Sequence, residues 1–224
     1  MVINDYKAGL DYSQKPDGYF NGARKPFVDF LPRNAEGRLL EIGAGSGETA
    51  AYALAEGKCG WCCGVELCEE PAQAARKKLQ HVIVGNVEQI ELDLPEKHFD
   101  VLLLSEVLEH LADPWSVLRR LHKLMKPGAI VLAGSPNVCH HHVIRSLLRG
   151  QWHYEPRGVF DATHLRWFSP SGYREMFEAC GFIVDEVGPA RRLNFKARFF
   201  NALTGRRFEY LLHSQIVLKA HRPR

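Results

Sequence analysis

Two groups of residues in this 224-residue chain have the types and spacing to do chemistry. The first is the stretch Leu39-Leu40-Glu41-Ile42-Gly43-Ala44-Gly45-Ser46-Gly47-Glu48-Thr49. An apolar strand runs into three glycines at alternate positions and then into a helix. Glycine lets the backbone turn sharply and lets a ligand come close, because no Cβ intervenes. The opening of the helix offers N–H groups without intrahelical partners. The stretch therefore reads as a small-molecule cradle at the carboxyl end of the first strand of an open α/β sheet. A dinucleotide fingerprint needs G-x-G-x-x-G, and a P-loop ends in G-K-[ST]; the chain has neither. Glu41 at the strand end would repel a pyrophosphate but suits a cationic or hydroxyl-bearing ligand. Glu66 ends a second apolar run, residues 60–65, where an acidic side chain can accept both hydroxyl hydrogens of a ribose.

The second group is Glu106-Val107-Leu108-Glu109-His110. On a helical turn, positions 106, 109 and 110 share one face. Two carboxylates and an imidazole on one face can bind a divalent metal. A fourth ligand must come from elsewhere, and His164, in Asp161-Ala162-Thr163-His164-Leu165-Arg166-Trp167-Phe168, is the candidate. Without a metal, His110 or His164 could act as a general base, since an imidazole titrates near neutrality. The plainer alternative leaves Glu106 as a helix cap and His164 as a fixture of its own loop.

The run Glu41-x-Gly43-x-Gly45-x-Gly47 followed by Glu66 resembles the class I S-adenosylmethionine (SAM)-dependent methyltransferases. The resemblance continues through residues 99–111, Lys126-Pro127-Gly128-Ala129 and Ser135-Pro136-Asn137, and so covers nearly the whole chain. It implies SAM as cofactor and S-adenosylhomocysteine as one product. It puts Glu41, Gly43, Gly45 and Gly47 beside the methionine part of SAM, Glu66 and Leu67 at the ribose, and Asn86 and Val87 at the adenine. Ser105 and Glu106 would also contact SAM. Many relatives carry Asp where this chain has Asn86; the amide oxygen can still accept from the adenine amino group.

The E-x-x-E-H run with a distant His resembles two methyltransferase groups. One methylates a phenolic oxygen in ubiquinone synthesis; the other methylates the terminal 2′-hydroxyl of small RNAs with a bound divalent ion. This implies a metal (Mg, Mn or Zn) held by Glu106, Glu109, His110 and His164, with Glu109, His110 and His164 serving catalysis. Residues 148–154 and 158–169, with Tyr19-Phe20-x-x-x-Arg24-x-Pro26 and Asp113-Pro114-Trp115, look like a bacterial subgroup that accompanies glycosyltransferases of surface polysaccharides. That likeness implies O-methylation of a hydroxyl on a sugar, glycan or related small molecule. His140, Tyr154, Arg166, Tyr19 and Arg24 would then face the acceptor. Tyr154, Trp152 and Trp167 could stack on a sugar or simply pack. Arg166 could grip a phosphate or carboxylate or pair with Asp161. RNA 2′-O-methylation, N- or C-methylation of a small molecule, and a non-catalytic SAM-binding partner protein stand as alternatives.

Positioning these residues requires a regular scaffold. Apolar runs predict strands at 38–42, 61–66, 81–84, 99–104, 129–134, 182–187 and 214–220. Helical periodicity predicts helices at 47–56, 70–79, 114–124 and 170–179, and a short leading helix within 20–31. Alternating strands and helices imply a parallel sheet covered on both faces. The resemblance implies a Rossmann-like, seven-stranded, mostly parallel sheet of order 3-2-1-4-5-7-6 with an antiparallel last strand. One domain spans residues 1–224, with insertions at about 136–168 and 189–212 on the acceptor side.

A net charge of +3 and a pI near 8.5 fall short of the nucleic-acid footprint of pI above about 9. No apolar run approaches the roughly 18 residues of a membrane span. With no signal-peptide pattern, six cysteines point to reduced thiols in a cytosol. Cys59-Gly60-Trp61-Cys62, with Cys63 and Cys68 nearby, could be read as a redox or zinc motif; its place in a strand favours buried structural thiols. Residues 191–208 mix Arg and Phe and fit a nucleic-acid contact, an amphipathic membrane helix, or a cover helix packing Phe195, Phe199 and Leu203 on the sheet.

Overall fold

β1 (Arg38–Ile42) and β4 (Phe99–Ser105) lie side by side at the centre of the sheet, and the functional loops leave from their carboxyl ends. The computed structural model describes residues 22–189, 201–202, 205 and 207–224. Tyr19 and most of the Arg/Phe segment 191–208 lie outside the described residues. The other strands are β2 (Trp61–Glu66), β3 (His81–Val84), β5 (Met125–Pro136), β6 (Ile183–Pro189) and β7 (Gln215–His221). They form one sheet of order β3-β2-β1-β4-β5-β7-β6. Pairing is parallel from β3 to β5, while β7 runs antiparallel to both β5 and β6.

Strand side chains alternate between faces, and the two faces have separate cores. Leu40, Ile42, Leu102 and Leu104 pack with Leu118 and Leu121 of α4 (Pro114–Leu124) and Tyr173 and Phe177 of α6 (Pro170–Ala179). Leu39, Val101 and Leu103 pack with Val28 of α1 (Lys25–Asp29) and Ala50 and Ala53 of α2 (Glu48–Ala55). Both faces are covered, which explains why residues 101–104 are uninterruptedly apolar. α4 and α6 start as their sequences dictate. The Asp113 carboxylate accepts from Ser116 N at 3.1 Å, the Ser169 hydroxyl accepts from Gly172 N at 3.1 Å, and a proline follows each cap.

Several boundaries differ from the sequence expectation. The leading helix shrinks to Lys25–Asp29. α3 (Glu69–Ala75) ends before 79 because Lys77 N and Lys78 N turn to the carbonyls three residues back. β5 outruns 129–134 at both ends, since Met125 pairs with Phe99 and Pro136 with Gln215. The 136–168 connection contains a helix that the sequence reading lacks, α5 (His141–Leu148). Cys59, Cys62 and Cys63 are buried, with the Cys59 and Cys62 sulfurs 3.2 Å apart. Among the described residues, no helix is long and apolar enough to cross a membrane.

Asn137 fastens that connection to the sheet. Its Nδ2 donates to the carbonyls of Tyr210 (2.7 Å) and His213 (2.8 Å), and its Oδ1 accepts from Cys139 N at 2.9 Å. Asn137 is buried, so removing the amide leaves two carbonyls and an N–H without their protein partner. Asn137→Ala is expected to cost about 2–4 kcal/mol in urea unfolding.

Candidate active site

The glycine loop folds back on β2. Gly43 N and Ala44 N both donate to the Val65 carbonyl, at 2.8 and 3.1 Å. Gly43 has φ +70°, and a Cβ there would stand 2.5 Å from Val107 Cγ2. Gly45, at φ +52°, donates its N–H to Glu66 Oε2 at 2.7 Å. Glu66 Oε1 accepts from Cys68 N at 2.9 Å, so one carboxylate ties the loop to the end of β2. Burial pushes its pKa up. Gly47 serves packing instead. It caps α2 with φ +77°, and a Cβ would lie 3.1 Å from the backbone of Ala75 in α3.

Above the loop opens a cavity of about 590 Å³, within the range of ligand pockets. Glu41, Gly43, Gly45, Glu66, Leu67, Asn86 and Val87 line one side; Ser105, Glu106, His110 and His164 line the other. The cavity thus sits where β1 and β4 diverge to opposite helix layers, the switch point of an open α/β sheet. Asn86 Oδ1 accepts from Glu88 N at 2.9 Å. Glu41 is buried beneath the loop, with Oε2 accepting from Ala50 N at 3.1 Å. Burial outweighs that bond and raises its pKa to about 8.

The E-x-x-E-H run departs from the expected helical turn. Glu106 is a non-glycine residue with φ +58°, and the 3-10 turn begins only at Leu108 (Leu108–His110). That left-handed backbone swings Glu106 off the face shared by Glu109 and His110. Its carboxylate accepts from Gln215 Nε2 at 2.7 Å and lies 3.9 Å from Arg24 Nη2. Among the described residues, Glu109, His110 and His164 are the three whose ligand atoms lie within 4.8 Å of one another; Glu106 is not among them.

Backbone bonds bring that trio together. The Glu109 carbonyl accepts from both Leu165 N (2.8 Å) and Arg166 N (3.0 Å), which clips the His164 loop against the turn after β4. The two imidazoles stand 4.7 Å apart, centre to centre. Thr163 Oγ1 donates to Asp161 Oδ1 at 2.7 Å and therefore accepts from His110 Nδ1 at 3.1 Å. The Thr163 carbonyl also accepts there, at 3.2 Å. Nδ1 must carry the proton, and the lone pair of His110 is at Nε2. Glu109 is 1% exposed, and neither carboxylate oxygen has a hydrogen-bond partner among the described residues. Burial, with Glu106 beside it, pushes its pKa well above the usual carboxylate range. An orphaned buried carboxylate next to two imidazoles has the donor set of a divalent-metal site.

On the acceptor side, Arg24 lines the cavity, but His140, Tyr154 and Arg166 do not. His140 caps α5 and packs on His141. Tyr154 is half exposed. Arg166 donates to the carbonyls of Ala112 and Leu165 rather than pairing with Asp161. Their places are taken by Arg157, Gly158 and Asp161. The sequence reading missed Arg157 and Thr163; only their closeness to His164 in the chain pointed to them.

Sheet order, glycine loop and the cavity at the strand ends together define a Rossmann-like α/β fold with a ligand-sized site at its switch point. The family described as "Methyltransferase domain" matches residues 19–187, and the chain belongs to this family of SAM-dependent methyltransferases. It is 30% identical over 110 residues to the 27-O-demethylrifamycin SV methyltransferase of Amycolatopsis mediterranei, covering 46% of this chain and 40% of that one. It is 28% identical over 160 residues to the ubiquinone biosynthesis O-methyltransferase of Aeromonas salmonicida, covering 67% and 64%. The chain thus spans less than two thirds of either relative's length. A SAM-dependent methyltransferase from Mesorhizobium loti shares the fold, with a TM-score of 0.63 at 17% identity, over 91% of this chain and all of the other.

The raised pKa of Glu41 has a consequence for stability. In the unfolded chain this carboxyl ionises near 4.5, whereas in the fold it stays protonated to about 8. Its contribution is full below pH 4.5 and is lost as pH rises towards 8. Glu41→Gln removes that penalty. The variant should unfold at least about 5 °C higher than wild type at pH 8.5 in thermal scans, with the gap closing near pH 4.5.

Proposed function

We propose that this methyltransferase carries the SAM methyl group to a hydroxyl of a sugar, glycan or related small molecule, with a divalent metal (Mg, Mn or Zn) held by Glu109, His110 and His164. The observation that carries the proposal is the cluster of the buried Glu109 carboxylate with His110 and His164, ligand atoms within 4.8 Å of one another, the two histidines lining the cavity. SAM supplies an electrophilic methyl on a sulfonium. The metal, when bound, lowers the cost of deprotonating the acceptor hydroxyl and helps to position it.

The chain does the rest. Gly43 and Gly45 keep the loop low enough for the methionine part of SAM, and Glu41 beneath them holds the start of α2 to the strand. Glu66 and Leu67 take the ribose, Asn86 and Val87 the adenine, and Ser105 and Glu106 the side facing the acceptor. Asp161 and Thr163 fix His110 so that its Nε2 lone pair serves a metal or, in a metal-free variant of the mechanism, accepts the hydroxyl proton. The Asp161–Thr163–His110 bonds favour that second reading equally, because they set the tautomer a base needs.

Two observations support a small hydroxylic acceptor over RNA. Besides the protonated Glu41, the acidic residues Glu48, Glu66, Glu106 and Asp161 line the cavity with only Arg24 and Arg157 as basic residues, an unfavourable lining for a polyanion. The names of both curated relatives specify oxygen methylation. The test is transfer of a labelled methyl from SAM to nucleotide sugars, oligosaccharides and short RNA in parallel. Methylated sugar oxygens are expected, with Glu109→Gln and His164→Asn each lowering turnover about 100-fold or more while SAM affinity stays within a few-fold. Transfer to RNA alone, or full turnover in both variants, refutes the proposal.

A further inference from the structure

The apolar stripe of α5 faces solvent. Ile144, Leu147 and Leu148 fall at spacings of three and four, on one side of the helix, and are 38%, 50% and 83% exposed. Val143 is the buried residue of this helix. A surface helix normally turns its apolar stripe to the core; this one is inverted. Beyond it, Gln151 N donates to the Ser146 carbonyl at 3.0 Å and the Ser146 hydroxyl donates to the Gln151 carbonyl at 2.8 Å. That turn leads into Trp152, edge-on to Trp167 with ring centres 5.4 Å apart. Exposed Arg145, Arg149 and Arg157 belong to the same stretch, and Glu155 is its single acidic residue between 138 and 160.

We infer that this surface docks on an anionic lipid bilayer. Leu147 and Leu148 supply an apolar wedge, the tryptophans an aromatic rim, and the three guanidiniums charge for lipid phosphates. Charge chooses between a bilayer and a second copy of the chain, because a second copy would bring the same net-positive face. The same connection also contributes Arg157, Gly158, Asp161 and His164 to the cavity wall.

The test is co-sedimentation of the full chain with phosphatidylglycerol/phosphatidylcholine vesicles and with phosphatidylcholine alone. Binding to the anionic vesicles is expected, weakening as salt rises. Leu147→Asp with Leu148→Asp, and separately Arg145→Glu with Arg149→Glu, should each lower the partition at least about tenfold, with SAM binding unchanged as the check on folding. Several results would overturn the inference: no wild-type binding, equal binding to neutral vesicles, or undiminished binding by either double variant. A lipid-free dimer that Leu147→Asp with Leu148→Asp converts to monomer would overturn it as well.

Discussion

Carboxylates are rarely buried without partners, because taking an ionised one out of water costs several kcal/mol. This fold buries Glu41, Glu66 and Asp161 in the wall of a single cavity, and Glu109 behind the two histidines that line it. Three accept hydrogen bonds from nearby N–H or O–H donors, although for Glu41 and Glu66 burial outweighs those bonds and the pKa stays raised. Ala50 N serves Glu41, Gly45 N and Cys68 N serve Glu66, and Thr163, through N and Oγ1, serves Asp161. These bonds shape the site: they draw the glycine loop onto β2, hold α2 to the end of β1 and fix the loop that carries His164. Among the described residues no donor stands within hydrogen-bond geometry of the Glu109 carboxylate, and burial with Glu106 beside it pushes its pKa well above the usual carboxylate range.

The central strands and their loops were legible in the sequence because the forces that make them are local. Three glycines in left-handed conformations, a continuous apolar run at 101–104 and proline-following caps at Asp113 and Ser169 each specify their element within a few residues. Sheet order and the antiparallel last strand came through resemblance to a family, and the structure has both. The site was legible only in part. Glu106 reads as a partner of Glu109 and His110 by helical spacing, yet its positive φ and its bond to Gln215, 109 residues further on, carry it elsewhere. No periodicity reports a contact at that separation.

The acceptor side was the least legible. Arg157 and Gly158 reach the cavity from a loop whose path is set by Asn137 and by the two N–H groups bonded to the Glu109 carbonyl, all remote in sequence. α5 escaped notice for the opposite reason: its apolar residues are there, but they do not face the core. Cofactor cradle and acceptor wall therefore follow different rules. The cradle is built from strand ends, whereas the wall is one long connection held by hydrogen bonds to the sheet and within itself. That connection is where substrate choice, and by inference attachment to a surface, can vary without disturbing the sheet.

Whether Glu109 is compensated by a cation is the claim on which this account turns. Isothermal titration of Mn²⁺, Mg²⁺ and Zn²⁺ into the protein saturated with S-adenosylhomocysteine measures it directly. The account predicts one ion per chain for at least one of the three metals, with binding lost in Glu109→Gln. No heat from any of the three, or undiminished binding in that variant, would contradict it and leave His110 as a base beside a protonated carboxyl.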